Sequence, residues 1–317
     1  MKRIFFVALL AGIVTSLGLS PTRAADYFNG GDDGKFVYDD SKGGKGGVLD
    51  GICDSTCGDG GFYGLAELMF MKYHRADGVR AGSFNNIPPA TTDDVSFDYN
   101  ATPRLTLGYV TDSGLGVRVR YWEYDQVGTP DFPGTGVGMG VDTYNIDFEA
   151  FERVQVSDCW AFELSGGLRY NSFNETMTDP IPPGARLNSF DGLGGIVGLE
   201  ATRSLGRWGN LYGRTRFGIL HDDKTVINVA GGLTQAAILR DSTVTMTEIA
   251  MGYEWNRCTR NGSLLFARAG YEWQHWDNFS SSFTPFTTTP PGNPPAAFAG
   301  PSDVGFSGFV FALGLER

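Results

Sequence analysis

Four cysteines and three histidines are the residues of this sequence best suited to chemistry. Cys53 and Cys57 stand in a Cys-x-x-x-Cys spacing with no histidine nearby. That is a poor zinc signature, because a structural zinc site draws four Cys or His ligands. Cys159 and Cys258 lie far from that pair and from each other. Disulfides suit all four better, provided the chain is exported to an oxidising compartment. Four cysteines allow three pairings, and spacing does not choose among them. His74, His221 and His275 each stand at the end of an alternating apolar segment. His221-Asp222-Asp223 has the residue types of a hydrolytic site, but such work needs partners converging at hydrogen-bond distance, and the sequence supplies none. No nucleophile elbow, phosphate loop or metal motif occurs. The sequence therefore predicts no catalytic residue, no metal and no cofactor.

The remaining chemistry lies in charges set at every second position. Arg104, Arg118, Arg120, Asp147, Glu149, Glu163, Arg169, Glu200, Arg214, Arg216, Glu248, Glu254, Arg268 and Glu272 alternate with apolar residues. Period two means strands, so these charges share one face of a sheet and the large apolar residues share the other. Leu115, Val117, Val119 and Tyr121 against Gly116, Arg118, Arg120 and Trp122 is the clearest instance. Strands are expected at about 62–73, 103–111, 115–122, 144–151, 160–170, 190–203, 211–219, 245–254, 265–274 and 304–317. In the first, both faces are fairly apolar, so its orientation stays open.

The last strand, with Phe309, Phe311, Leu313 and Leu315 on one face, would leave a long apolar edge unless it pairs with the first. Connections alternate between short turns and long loops. Gln126–Gly140, Asn171–Ser189, His221–Arg240 and Asp277–Ser302 are the expected loops. An even strand count with that asymmetry is the pattern of an outer-membrane barrel, with short turns in the periplasm and long loops outside. Aromatic residues near strand ends suit interface girdles: Tyr109, Tyr121, Tyr144, Trp160, Tyr170, Tyr253, Trp255 and Trp273. The predicted fold is thus all-β, a closed antiparallel up-and-down transmembrane barrel of about ten strands over residues 62–317. A soluble β-sandwich shares the alternation but not the loop asymmetry or the girdles.

Residues 1–24 read as a secretory signal, with Lys2 and Arg3 before an apolar run and Thr22 and Ala24 at the cleavage positions. Residues 25–61 are rich in Gly and Asp and read as a disordered periplasmic lead-in. The formal charge of −11 becomes −14 once residues 1–24 take away three bases and no acids. That balance excludes nucleic acid as a partner.

Several stretches carry a family resemblance. They are Gly61-Phe62-Tyr63-Gly64-Leu65-Ala66-Glu67-Leu68, Ser189-Phe190-Asp191-Gly192-Leu193-Gly194, Gly198-Leu199-Glu200-Ala201-Thr202-Arg203, Ala267-Arg268-Ala269-Gly270-Tyr271-Glu272-Trp273-Gln274-His275-Trp276 and Gly305-Phe306-Ser307-Gly308-Phe309-Val310. The chain resembles the Legionella-type major outer membrane protein family, in its planctomycete-like form, from about Gly61 to the end. The resemblance implies an outer-membrane barrel with pore-forming activity and no catalytic residues. Partners would be outer-membrane lipid and small solutes or ions, with a homo-oligomer and cell-surface contacts through the loops as further expectations. The expected function is a narrow charged pore for passive passage of small solutes or ions, and the alternative is a side-chain-filled structural or adhesive barrel without conductance. Barrels of about eight strands are filled, whereas those of sixteen hold a channel.

Overall fold

Each of ten long strands hydrogen-bonds to two neighbours, and the first pairs with the last. The computed structural model describes residues 60–317 except 76–79, 82–92, 131–137, 158, 181–182, 224, 231–234, 240, 260–262 and 282–299. The proposed signal and nearly all of the lead-in, with Cys53 and Cys57, lie outside the described residues. The ring strands are β1 (Gly61–Arg75), β2 (Asn100–Val110), β3 (Leu115–Pro130), β4 (Gly138–Ser157), β5 (Trp160–Pro180), β6 (Pro183–Ser204), β7 (Asn210–Asp222), β8 (Ser242–Cys258), β9 (Leu264–Ser281) and β10 (Gly300–Glu316). Sequential strands pair antiparallel throughout, and β6 pairs β7 to continue the ring. Closure runs from Tyr63↔Glu316 to Arg75↔Val304. It satisfies both edges that an open sheet would expose.

The short turns are built as their residues dictate. Asp112-Ser113-Gly114 links β2 to β3, with Gly114 at φ +88° and the Thr111 amide donating to the Leu115 carbonyl at 2.8 Å. A left-handed residue at that place favours glycine. A single 3₁₀ turn, Gly206–Trp208, links β6 to β7.

At the other end the structure corrects the expected loops. Much of Gln126–Gly140 and Asn171–Ser189 is strand: β3 runs on to Pro130 and β4 starts at Gly138, while β5 and β6 stay paired up to Pro180↔Pro183. The segment His221–Arg240 holds a short hairpin, Thr225–Ala230 with Gln235–Leu239, that adds to the edge of β6 beyond the ring. Gly and Pro mark breaks only where backbone pairing ends, and these extensions carry few apolar residues on their outward side to reveal them as strand.

The outward face is apolar. Phe62, Leu107, Leu168, Val197, Phe217, Met251, Phe311 and Leu313 are all exposed. A belt of this extent is far beyond the apolar patch a water-soluble monomer tolerates, and it is what lipid covers. Tyr109, Trp160, Tyr253 and Trp255 line its short-turn margin, and Trp273 stands at the other. Tyr121, Tyr144 and Tyr170 form a row across three strands, with ring centroids 6.4 and 6.0 Å apart. Among the described residues no helix is long and apolar enough to cross a membrane.

Candidate functional site

Alternation turns every second side chain into the lumen, and the lumen is filled in three layers. At the short-turn end Tyr63, Val110 and Phe151 cluster beside Leu65, Phe266 and Ala312. Two rings lie flat over glycines: a Cβ added to Gly116 would meet the Phe151 ring at 2.3 Å, and one on Gly314 would meet Phe266 at 2.2 Å. Those glycines are what let aromatic rings close this end.

The middle layer is ionic, and it contains the charges the sequence placed on one face. Arg104 forms paired hydrogen bonds with two carboxylates at once, Glu67 at 2.5 and 2.7 Å and Glu272 at 2.7 and 2.9 Å. Arg214 donates to the same Glu272 at 2.8 Å. Arg169 grips Asp147 at 2.5 and 2.7 Å and reaches Glu248 at 2.7 Å. Arg216 meets Glu248 at 2.8 Å and Asp147 at 2.5 Å, and also contacts Glu149. Arg118 bridges Glu149 and Glu163, and Arg268 bridges Glu254 at 2.6 Å and Glu200 at 2.9 Å. Several of these pairs cross the lumen. Arg216 on β7 reaches β4, Arg169 on β5 reaches β8, and Arg104 on β2 reaches β9. Bidentate, charge-assisted contacts of this kind fix both partners' positions.

Every charge predicted for the inner face therefore lies in this layer, and all but Arg120 join an ion pair. Arg120 is buried, and its Nε and Nη1 have no hydrogen-bond partner among the described residues. The layer also holds groups the sequence did not single out. Glu67 is buried on β1, whose two apolar faces hid its direction. Arg153 joins Glu163 to Glu316, closing the layer from β4 across to β10.

Above the ionic layer the interior is apolar, which the sequence reading did not anticipate. Met69, Met71, Tyr73, Trp122, Tyr124, Met139, Phe173, Phe190, Leu220, Met246, Trp276, Phe279 and Phe306 form one buried cluster. Phe306 packs edge-on to Trp122 and Tyr124 at 5.3 and 4.9 Å, and Phe279 lies 4.4 Å from Phe173. Within it, Glu175 accepts from Tyr73 and pairs with Arg75 at 2.6 Å. The signal was present in the sequence: the inward places of β1, β3 and β10 change from charged to aromatic or Met along the strand.

Cys159 and Cys258 are both disulfide-bonded. Both stand at the short-turn end, Cys159 just before β5 and Cys258 at the end of β8. The three histidines stand at the opposite end, on outward-facing positions of β1, β7 and β9.

The model of a family described as the Legionella pneumophila major outer membrane protein precursor matches residues 61–316. No curated protein matches the chain in sequence. Among solved structures, it is similar to the outer membrane protease OmpT from Escherichia coli at 10% identity and TM-score 0.44, over 83% of this chain and 98% of that one. The Pseudomonas putida toluene transporter TodX gives 10% and 0.34, over 82% and 90%. Neisserial surface protein A gives 11% and 0.29, over 81% and 98%.

Proposed function

Because the chain belongs to the family of the Legionella pneumophila major outer membrane protein, we propose that it is a structural outer-membrane barrel whose interior is a packed core and not an open conduit. The cross-lumen ion-pair layer, capped on both sides by buried aromatic and aliphatic clusters, is the observation that carries this reading. A ten-strand ring has the width at which side chains can meet, and here arginines reach carboxylates on facing strands. In this reading residues 1–24 direct export, the short turns face the periplasm, and the long hairpins stand at the cell surface, where they offer contacts. The barrel performs no catalysis, and its apolar belt is its contact with lipid.

A porin-like second reading draws on the same layer. Its polar walls would pass small ions if the apolar cluster above them parted, and Arg120 would be the cation left to meet them. Planar-bilayer recording of the purified chain separates the two. The packed core predicts a silent bilayer under applied voltage. Stable, ohmic conductance steps of uniform size would overturn it in favour of the pore.

Export also predicts the state of the cysteines. β6 and β7 stand between the strands that carry Cys159 and Cys258, and strands are spaced about 4.8 Å apart. The two are then separated by more than the ~7 Å between Cα atoms that a disulfide spans. Mass spectrometry of non-reduced digests is expected to find both in disulfides and not joined to each other. A peptide joining Cys159 to Cys258, or free thiols at either, would contradict this.

A further inference from the structure

Two groups of His and Asp converge at the long-hairpin end, outside the lumen. They are His221 with Asp223 and Asp241, and His275 with Asp277 and Asp303. In each, one ligand atom per residue lies within 4.8 Å of the others. The first is splayed into solvent, with the Asp223 side chain 95% exposed. The second is built into the wall of the barrel. Its residues come from β9 and β10, so no contiguous motif could have revealed it.

The local register explains the convergence. Trp276 pairs with Val304 and Phe279 with Ser302, so Asp277 and Asn278 oppose the single residue Asp303. That is a β-bulge, a device that re-aims a side chain out of the regular ladder. His275 Nε2 lies 2.8 Å from Asp277 Oδ1 and 4.0 Å from Asp303 Oδ2. Trp273 stacks on the imidazole at 5.2 Å and 8°, which fixes the ring plane. From β8, Thr245 Oγ1 donates to Asp277 Oδ2 at 3.2 Å, leaving Oδ1 directed at the histidine. Metal-binding carboxylates are commonly held in this way by an outer hydrogen bond. His275 Nε2 is already within hydrogen-bond distance of Asp277, and a cation bound between the two carboxylates would relieve their mutual repulsion.

We propose that His275, Asp277 and Asp303 hold a divalent metal ion of the zinc class on the outward face of the barrel rim. One imidazole nitrogen favours a transition metal over calcium or magnesium, which prefer all-oxygen sites. Three protein ligands leave a fourth tetrahedral position open to water. The site stands beside Trp273, at the outer margin of the apolar belt, and is independent of whether the lumen conducts.

The test is calorimetric titration of the metal-stripped full chain, in detergent micelles, with zinc chloride. Saturable binding is expected, weakened at least about tenfold by His275→Gln and by Asp303→Asn, since losing even an outer-shell partner costs about that much. Thr245→Val is expected to weaken it while leaving all three ligands in place. His221→Gln should leave the affinity unchanged. Far-ultraviolet circular dichroism of each variant checks that the barrel remains folded. Absence of saturable binding, binding that survives Asp303→Asn in a folded barrel, or binding abolished by His221→Gln would overturn the proposal.

Discussion

Arg216→Met is expected to destabilise the barrel by about 3–5 kcal/mol, the usual cost of removing one partner from a buried ion pair. Arg216 is buried and touches Asp147, Glu149 and Glu248, so its loss leaves three carboxylates crowded in the lumen with less positive charge among them. Arg169 can still hold Asp147 and Glu248, but among the described residues Glu149 keeps an ion pair with Arg118 alone. Urea unfolding in micelles, followed by tryptophan fluorescence, measures the effect. Adding Glu248→Gln to Arg216→Met should recover part of the loss, because it removes one uncompensated charge, and the double-mutant cycle gives the coupling. An Arg216→Met barrel that unfolds at the parent's urea concentration would show that the ionic layer is not what holds the interior.

The second large effect is on the opposite side of the same wall. Val119 pairs with Leu107 on β2 and with Phe148 on β4, in a row of outward apolar residues. Val119→Arg would place a guanidinium in hydrocarbon near mid-height, at a cost of about 2–4 kcal/mol. Val119→Leu keeps the row apolar and should change stability by less than about 1 kcal/mol. Refolding into lipid vesicles and measuring the urea midpoint distinguishes the two variants. If water rather than lipid covered this face, Val119→Arg would also be nearly neutral, as surface substitutions usually are. A neutral Val119→Arg would therefore sink the transmembrane assignment.

The strand ladder was legible because burial in a barrel wall follows the period of the backbone itself. Arg118 and Arg120 against Val117 and Val119 fixes a face without reference to any other part of the chain. So do Arg214 and Arg216 against Thr215 and Phe217. Where both faces are apolar, the pattern is silent: Glu67 is fully engaged with Arg104, yet Leu65 and Met69 around it look like Leu68 and Phe70 outside. The partners of each charge were not legible either. Arg216 and Asp147 are far apart in sequence and three strands apart around the ring, and only closure makes them neighbours. The apolar upper lumen escaped for a related reason: Trp122 shares a face with Arg118 and Arg120, but that it meets Phe306 from the last strand follows only from closure of the ring. The rim triad depends on a bulge, and one extra residue in a ladder leaves no trace in composition or periodicity.

Closure has one more consequence, for how the chain reaches its folded state. The pairing of Tyr63 with Glu316 joins residues from the two extremes of the barrel sequence. Such a contact is among the slowest to form, because the whole intervening chain must be gathered first. β1 precedes β10 by nearly the whole barrel sequence, so β1 is made long before its partner exists. Until then Phe62, Leu68 and Phe70 on one side, and the unpaired edge beside them, are open to other chains. Closure of β1 on β10 is therefore the step that removes the last exposed edge, and with it the last place where another chain could pair.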